Sequence, residues 1–170
     1  MRLFRVLLWE TFRLRLFGMA KVPLLGWCLP AVTQLDDEAC RVLIPLRRRT
    51  RNHLGSMYFG TLCVGADCAG GLIAYRLIEK SGKPISLIFK DFKAEFLKRA
   101  EGDVEFTCTQ GREIAAFVQE VVQSPERREM TVLVQARVPQ SAQPEEVVAR
   151  FELTLSLKNR ELKSASLTSI

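Results

Sequence analysis

The stretch MYFGTLCVGADCAGGLIAYRLI, residues 57–78, decides the fold. From Met57 to Tyr75 it carries a single charge, Asp67, between the flanking Arg51 and Arg76. Leu62, Ala66, Ala69, Ile73 and Leu77 recur at helical spacing and predict a core-facing stripe. Gly60, Cys63, Val64, Gly70, Gly71 and Ala74 stand three, four or seven residues from Asp67, and all but Val64 are small. The length suits a bilayer crossing, but a carboxylate at the bilayer centre costs about 2.5–3.5 kcal/mol. Gly60, Gly65, Gly70 and Gly71, with an amphipathic strand pattern beyond, read instead as a buried helix in a soluble fold, ended by Ser81-Gly82-Lys83-Pro84. A carboxylate sunk among small residues must be paired, protonated or functional. It either caps a loop or bonds a neighbouring subunit, or it does chemistry.

Outward from this helix the period changes. Beyond Pro84, Ile88, Phe92, Ala94 and Phe96 share one face of a strand whose other face carries Asp91, Lys93 and Glu95. Val104, Phe106 and Cys108 alternate after a turn at Glu101-Gly102-Asp103, and Arg112 to Gln123 returns to helical spacing. Val132, Val134, Ala136 and Val138 form the next alternation. In the last strand Val147, Ala149, Phe151, Leu153, Leu155 and Leu157 face inward, with Arg150, Glu152, Thr154, Ser156 and Lys158 outward. Upstream, Val32 to Leu46 is apolar and extended around a turn at Asp36-Asp37-Glu38. The skeleton is a strand, the long helix, then four antiparallel strands with a second helix inserted. So apolar a helix needs cover on nearly all sides, and a sheet curved around it supplies that cover, giving an α+β class.

The chain has 170 residues, 48% hydrophobic and 26% charged, which excludes a disordered or collagen-like chain and fits one domain. Five dispersed cysteines without a C-x-x-C pair argue against a disulfide framework and against zinc, and point to a reducing, cytoplasmic setting. The lone histidine, His53, excludes any mechanism or metal site that needs two. The net charge of +6 gathers in Arg2, Arg5, Arg13 and Arg15 and again in Arg41, Arg47, Arg48, Arg49 and Arg51. Such a bias attracts polyanions: nucleic acid, an anionic membrane or a phosphate-bearing ligand. Glu10, Arg13 and Arg15 interrupt the apolar run that a signal peptide requires. The first segment reads as a helix apolar on several sides, which docks on the body or a neighbour, or lies in a membrane interface.

Ahead of the long helix runs Asn52-His53-Leu54-Gly55-Ser56-Met57-Tyr58-Phe59-Gly60. A helix start offers free N–H groups and the positive end of the dipole, where an oxyanion is stabilised. Gly55 and Gly60 have the spacing of a Walker loop, but Thr61-Leu62 occupy the places that need Lys-Ser/Thr. No Ser/His/Asp or Cys/His arrangement is readable, and Cys63 and Cys68 read as small core residues.

Asn52, Gly55-Ser56-Met57-Tyr58-Phe59-Gly60 and then Ala66-Asp67-Cys68-Ala69-Gly70 together resemble the signature of the hotdog-fold thioesterases, in the phenylacetate-degradation branch and its relatives. Phe96-Leu97-Lys98-Arg99-Ala100-Glu101-Gly102 resembles that family's strand-turn. The resemblance spans Pro30 to Lys158 and implies an antiparallel sheet wrapped around a central helix. It divides the chain into an N-terminal helical extension (1–29), a hotdog domain (30–160) and a polar tail (161–170). It further implies hydrolysis of an acyl-CoA or acyl-carrier-protein thioester at a site between two protomers of a homodimer or dimer of dimers. Asp67 would be general base or nucleophile, the backbone N–H of Phe59 with Gly60 would polarise the carbonyl, and Asn52 would orient water or thioester. His53, Ser56, Tyr58 and Cys63 would line the substrate. Neither a metal nor a cofactor beyond the coenzyme A of the substrate is implied. Tyr58 and Phe59 replace the family's turn histidine and first glycine, and tyrosine is no base at neutral pH. The other reading is a hotdog domain that binds an acyl-CoA or acyl ligand without turning it over. No nucleic acid is expected as a partner; peripheral membrane contact through residues 1–20 remains the third possibility.

Overall fold

In the computed structural model the described residues are 7–162; the first six residues and the tail from 163 onward lie outside them. Helices α1 (Leu8–Lys21) and α2 (Pro23–Trp27) lead into strands β1 (Ala31–Leu35) and β2 (Cys40–Ile44). The long helix α3 (Phe59–Ser81) follows, then β3 (Ile85–Phe96), β4 (Val104–Cys108), α4 (Gly111–Gln123), β5 (Arg128–Arg137) and β6 (Val147–Asn159). The strands form one six-stranded antiparallel sheet, in the order β1-β2-β4-β5-β6-β3, and α3 packs against its inner face. Leu62, Ala66, Ala69, Ile73 and Leu77 are all buried there. Gly82, at φ 65°, ends α3 in the left-handed region that glycine tolerates.

Three details differ from the sequence reading. The segment before the long helix turns at Asp36-Asp37-Glu38 as expected but forms a hairpin of two strands where the skeleton counted one, with Ala31 opposite Leu43 and Val32 opposite Val42. The Asp36 carboxylate closes it by accepting the N–H groups of Glu38 at 2.9 Å and Ala39 at 2.8 Å. Second, a bulge between Phe89 and Phe92 shifts the register of β3 against β6, pairing Phe89 with Leu155 and Phe92 with Leu153. Leu87 and Phe89 therefore join Phe92, Ala94 and Phe96 on the inner face, and Ile88 moves to the outer one. Third, Ser156 keeps the outer face, opposite Ile88, yet is buried there. Arg127 reaches over it and donates to its carbonyl at 3.0 Å and its hydroxyl at 3.3 Å. Nearby, Asn159 donates to the Val122 carbonyl at the end of α4, 2.9 Å away.

The two edges of the sheet are treated differently. At β1, Leu7 donates its N–H to the Val32 carbonyl at 2.8 Å, and the Val32 N–H reaches Thr11 Oγ1 at 2.9 Å. Both outward backbone groups of Val32 are thus satisfied by the start of α1. That helix is held further by Arg13, which donates to both oxygens of Glu79 on α3 at 3.0 and 3.1 Å. At the other edge, β3 pairs only with β6 among the described residues. A long unprotected edge of this kind is a template for pairing with another chain.

The inner face leaves no room at Gly65, where an added Cβ would lie 2.2 Å from the buried ring of Phe106. Gly65→Ala is expected to destabilise the fold by about 1–3 kcal/mol through overpacking. Urea unfolding checks this, with a matched midpoint shift at unchanged slope.

Candidate functional site

The helix start is built from the loop upward. The Asn52 amide oxygen accepts the Leu54 N–H at 2.9 Å, its nitrogen donates to Ser56 Oγ at 3.0 Å, and the Asn52 N–H reaches the Ser56 carbonyl at 2.8 Å. Gly55, at φ 85°, makes the reversal possible. Asn52 and the buried Ser56 therefore hold one another and shape the turn. His53 sits exposed on it and, with Arg48, Arg51, Asn52, Leu54 and Gly55, rims an open hollow. Tyr58 is the extended N-cap residue, and its N–H is tied to the Thr50 carbonyl at 2.9 Å.

The first bond within α3 runs from the Leu62 N–H to the Tyr58 carbonyl at 3.1 Å. No side chain caps the helix, and the N–H groups of Phe59, Gly60 and Thr61 meet no acceptor among the described residues. They are the unsatisfied donors of a helix start, at the positive end of the dipole. The aromatic rings crowd this end. A Cβ at Gly60 would lie 2.7 Å from the Tyr58 ring, and the rings of Tyr58 and Phe59 are 4.7 Å apart.

Along α3 from that end, Phe59, Cys63, Asp67 and Gly71 recur every fourth residue and share one face. This face is only partly covered, in contrast to the buried stripe behind it. Cys63 is half-buried, and burial pushes its thiol pKa up, away from a reactive thiolate at neutral pH. Asp67 is half-buried as well and has neither a hydrogen bond nor an ion pair among the described residues. The loop-capping role left open by the sequence is therefore not taken up. Loss of hydration alone raises the pKa of its carboxyl group above the ordinary 3.8. The place where a Gly71 Cβ would sit lies 3.7 Å from Asp67 Oδ1 and 3.4 Å from the Phe89 ring.

Across from this stripe runs the inner face of β3. Phe92 and Phe96 point inward yet stay 40% and 48% exposed. The Phe59 and Phe96 rings stand 6.2 Å apart. An apolar groove results, walled by α3 and β3, with one carboxylate in it. The structure thus gathers Asn52 with Ser56, Tyr58 with Phe59 and Gly60, and Cys63 with Asp67, but no hydrogen bond links Asp67 to the loop residues. Phe89 was missed by the sequence reading because the bulge that turns it inward leaves no mark in the alternation. Arg48 and Arg51 were noted there only as charge. Among the described residues no cluster of three or more histidine, cysteine or acidic side chains could hold a metal.

A long helix embraced by an antiparallel sheet in this strand order is the hotdog fold. The chain belongs to the family described as Domain of unknown function (DUF4442), which it matches over residues 12–157. Among solved structures it is similar to a protein of unknown function from Chlorobaculum tepidum TLS, at TM-score 0.74 and 14% identity, covering 91% of this chain and 94% of that one. A protein of unknown function from Pseudomonas aeruginosa, for which a thioesterase activity is suggested, superposes at TM-score 0.69 with 23% identity, over 88% and 95% of the two chains. A thioesterase from Haemophilus influenzae superposes at TM-score 0.60 with 15% identity, over 89% and 92%. No curated protein matches the chain.

Asp67 yields a stability test. Its folded pKa is raised above the unfolded 3.8, so its contribution is fully present below that value and is lost as pH rises through the folded pKa. Asp67→Asn, which never ionises, is expected to melt above the parent near pH 7 and to converge with it below about pH 4. Thermal melts across that range decide it; a variant less stable at neutral pH would show that the carboxylate has a native partner.

Proposed function

We propose that this protein hydrolyses the thioester of an acyl-CoA or acyl-carrier substrate, at sites shared between paired protomers. The observation that carries this reading is Asp67: a desolvated acid without an internal partner, in an apolar groove on the helix whose first N–H groups are unsatisfied. Asp67 stands eight residues beyond Phe59, and at 1.5 Å per residue that is about 12 Å along the axis. A base and an oxyanion donor must both come within roughly 3 Å of the reacting atoms. One chain cannot bring its own pair together, so Asp67 of one protomer works with the helix start of the other. The uncovered β3 edge supports such pairing, in a homodimer or dimer of dimers.

In this reading the ionised Asp67 accepts a proton from water as the water oxygen attacks the thioester carbonyl. The N–H groups of Phe59 and Gly60 hold the oxyanion, and its collapse breaks the C–S bond. The thiolate leaves and takes up the proton, giving a free acid and a thiol. The acyl chain lies against Phe89, Phe92 and Phe96, with Cys63 on the helix wall, and Arg48, Arg51 and His53 meet the phosphates of the carrier. Asn52 and Ser56 act by holding the turn that presents the helix start. A reducing, cytoplasmic setting suits Cys40 and Cys108, which face one another across β2 and β4 and are both free thiols. A second reading, a domain that binds acyl-CoA without turnover, is favoured by the Tyr58 ring lying over Gly60.

Thiol release from a panel of acyl-CoAs tests this. Asp67→Ala is expected to lower kcat by about 10²–10⁴-fold with the fold intact; full turnover in that variant ends the mechanism, and saturable binding without any thiol release selects the second reading. The acidic limb of the parent's pH profile should lie above 3.8, since the base must be ionised. Phe59→Pro removes one N–H at a position where proline starts a helix well, after a residue already extended at ψ 138°. Mixing inactive Asp67→Ala and Phe59→Pro protomers should restore about a quarter of parental activity, because each mixed dimer keeps one intact site. No restoration, with dimers shown to exchange, would place both groups in one chain.

A further inference from the structure

The outer surface of the N-terminal helices is unaccounted for by the groove and its chemistry. On α1, Thr11, Leu14 and Gly18 are buried against the body, while Leu8, Trp9, Phe12 and Leu16 on the opposite side are 57–80% exposed. At 100° per residue these four span an arc of about 100°. The arginines of the helix are drawn out of that arc. Arg13 pairs with Glu79, and Arg15 donates to the Pro30 carbonyl at 2.9 Å, so the ridge is apolar throughout. At its far end α2 adds Leu24 and Trp27, 63% and 60% exposed. There the cations reappear: Lys21 ends α1, Arg49 lies 5.2 Å over the Trp27 ring, and Arg47, two residues before Arg49, is exposed.

We infer that this surface docks on an anionic lipid bilayer. Aromatic and aliphatic side chains enter the boundary between headgroups and acyl chains, and Lys21, Arg47 and Arg49 meet the lipid phosphates. Tryptophan next to arginine suits that boundary, where one side of the indole is apolar and the other is charged. Because α1 is clamped to β1 and α3, the ridge is presented already folded, and no ordering cost is incurred on docking.

The chain contains two tryptophans, Trp9 and Trp27, and both lie on this surface, so the tryptophan fluorescence of the chain reads it alone. Vesicles of phosphatidylcholine with phosphatidylserine should shift the emission to the blue and carry the protein down on sedimentation. Half-saturation should come at about tenfold less lipid than with phosphatidylcholine alone, and salt at several times the physiological level should weaken it. Phe12→Ser with Leu16→Ser, at exposed positions, should weaken binding about tenfold with an unchanged circular dichroism spectrum. An unmoved spectrum, an equal response to neutral vesicles, or a blue shift that grows with protein concentration without lipid, the mark of a second copy, would each overturn the assignment.

Discussion

Covering α3 is the constraint on which the rest of the structure depends. A helix this apolar, sunk in water on any side, forfeits the burial that stabilises it. The sheet supplies most of the cover, and the fit is close enough that Phe106 fills the space above Gly65. The cover is incomplete along the stripe holding Cys63 and Asp67, and the incompleteness is what makes a groove. What cover the stripe does have removes enough water from around Asp67 to raise the pKa of its carboxyl group.

The groove and the open edge belong together. Phe92 and Phe96 stay partly exposed on the inner face of β3, and the outer backbone groups of that strand meet no further strand among the described residues. Each shortfall is relieved by the same thing, another surface brought alongside. The distance between Asp67 and the start of its own helix makes the same demand from the side of chemistry. Under the proposed reaction, packing and chemistry make the same demand, a second chain alongside.

Much of this was readable from residues alone. The period of Leu62, Ala66, Ala69, Ile73 and Leu77 placed the core face of α3, and the alternations in β4, β5 and β6 placed theirs, because burial imposes those periods directly. Asp67 stood out because a charge in an apolar run has so few innocent explanations. The failures share a cause as well. The β3 bulge exchanges Ile88 for Phe89, yet each is an ordinary strand residue, so nothing local announces the slip. Ser156 reads as solvent-facing until Arg127, a residue from a different loop, closes over it. Such facts arise from partners distant in sequence, where periodicity carries no information.

The contact of Leu7 and Thr11 with Val32 has a consequence for assembly. It makes the sheet one-sided, with a sealed margin at β1 and a receptive one at β3. A molecule receptive at one margin can close into a pair and stop. Stripped of its first helix, the same molecule would be receptive at both ends, and end-to-end addition would have no reason to terminate. The short clasp at Val32 thus closes one of the two margins of the sheet.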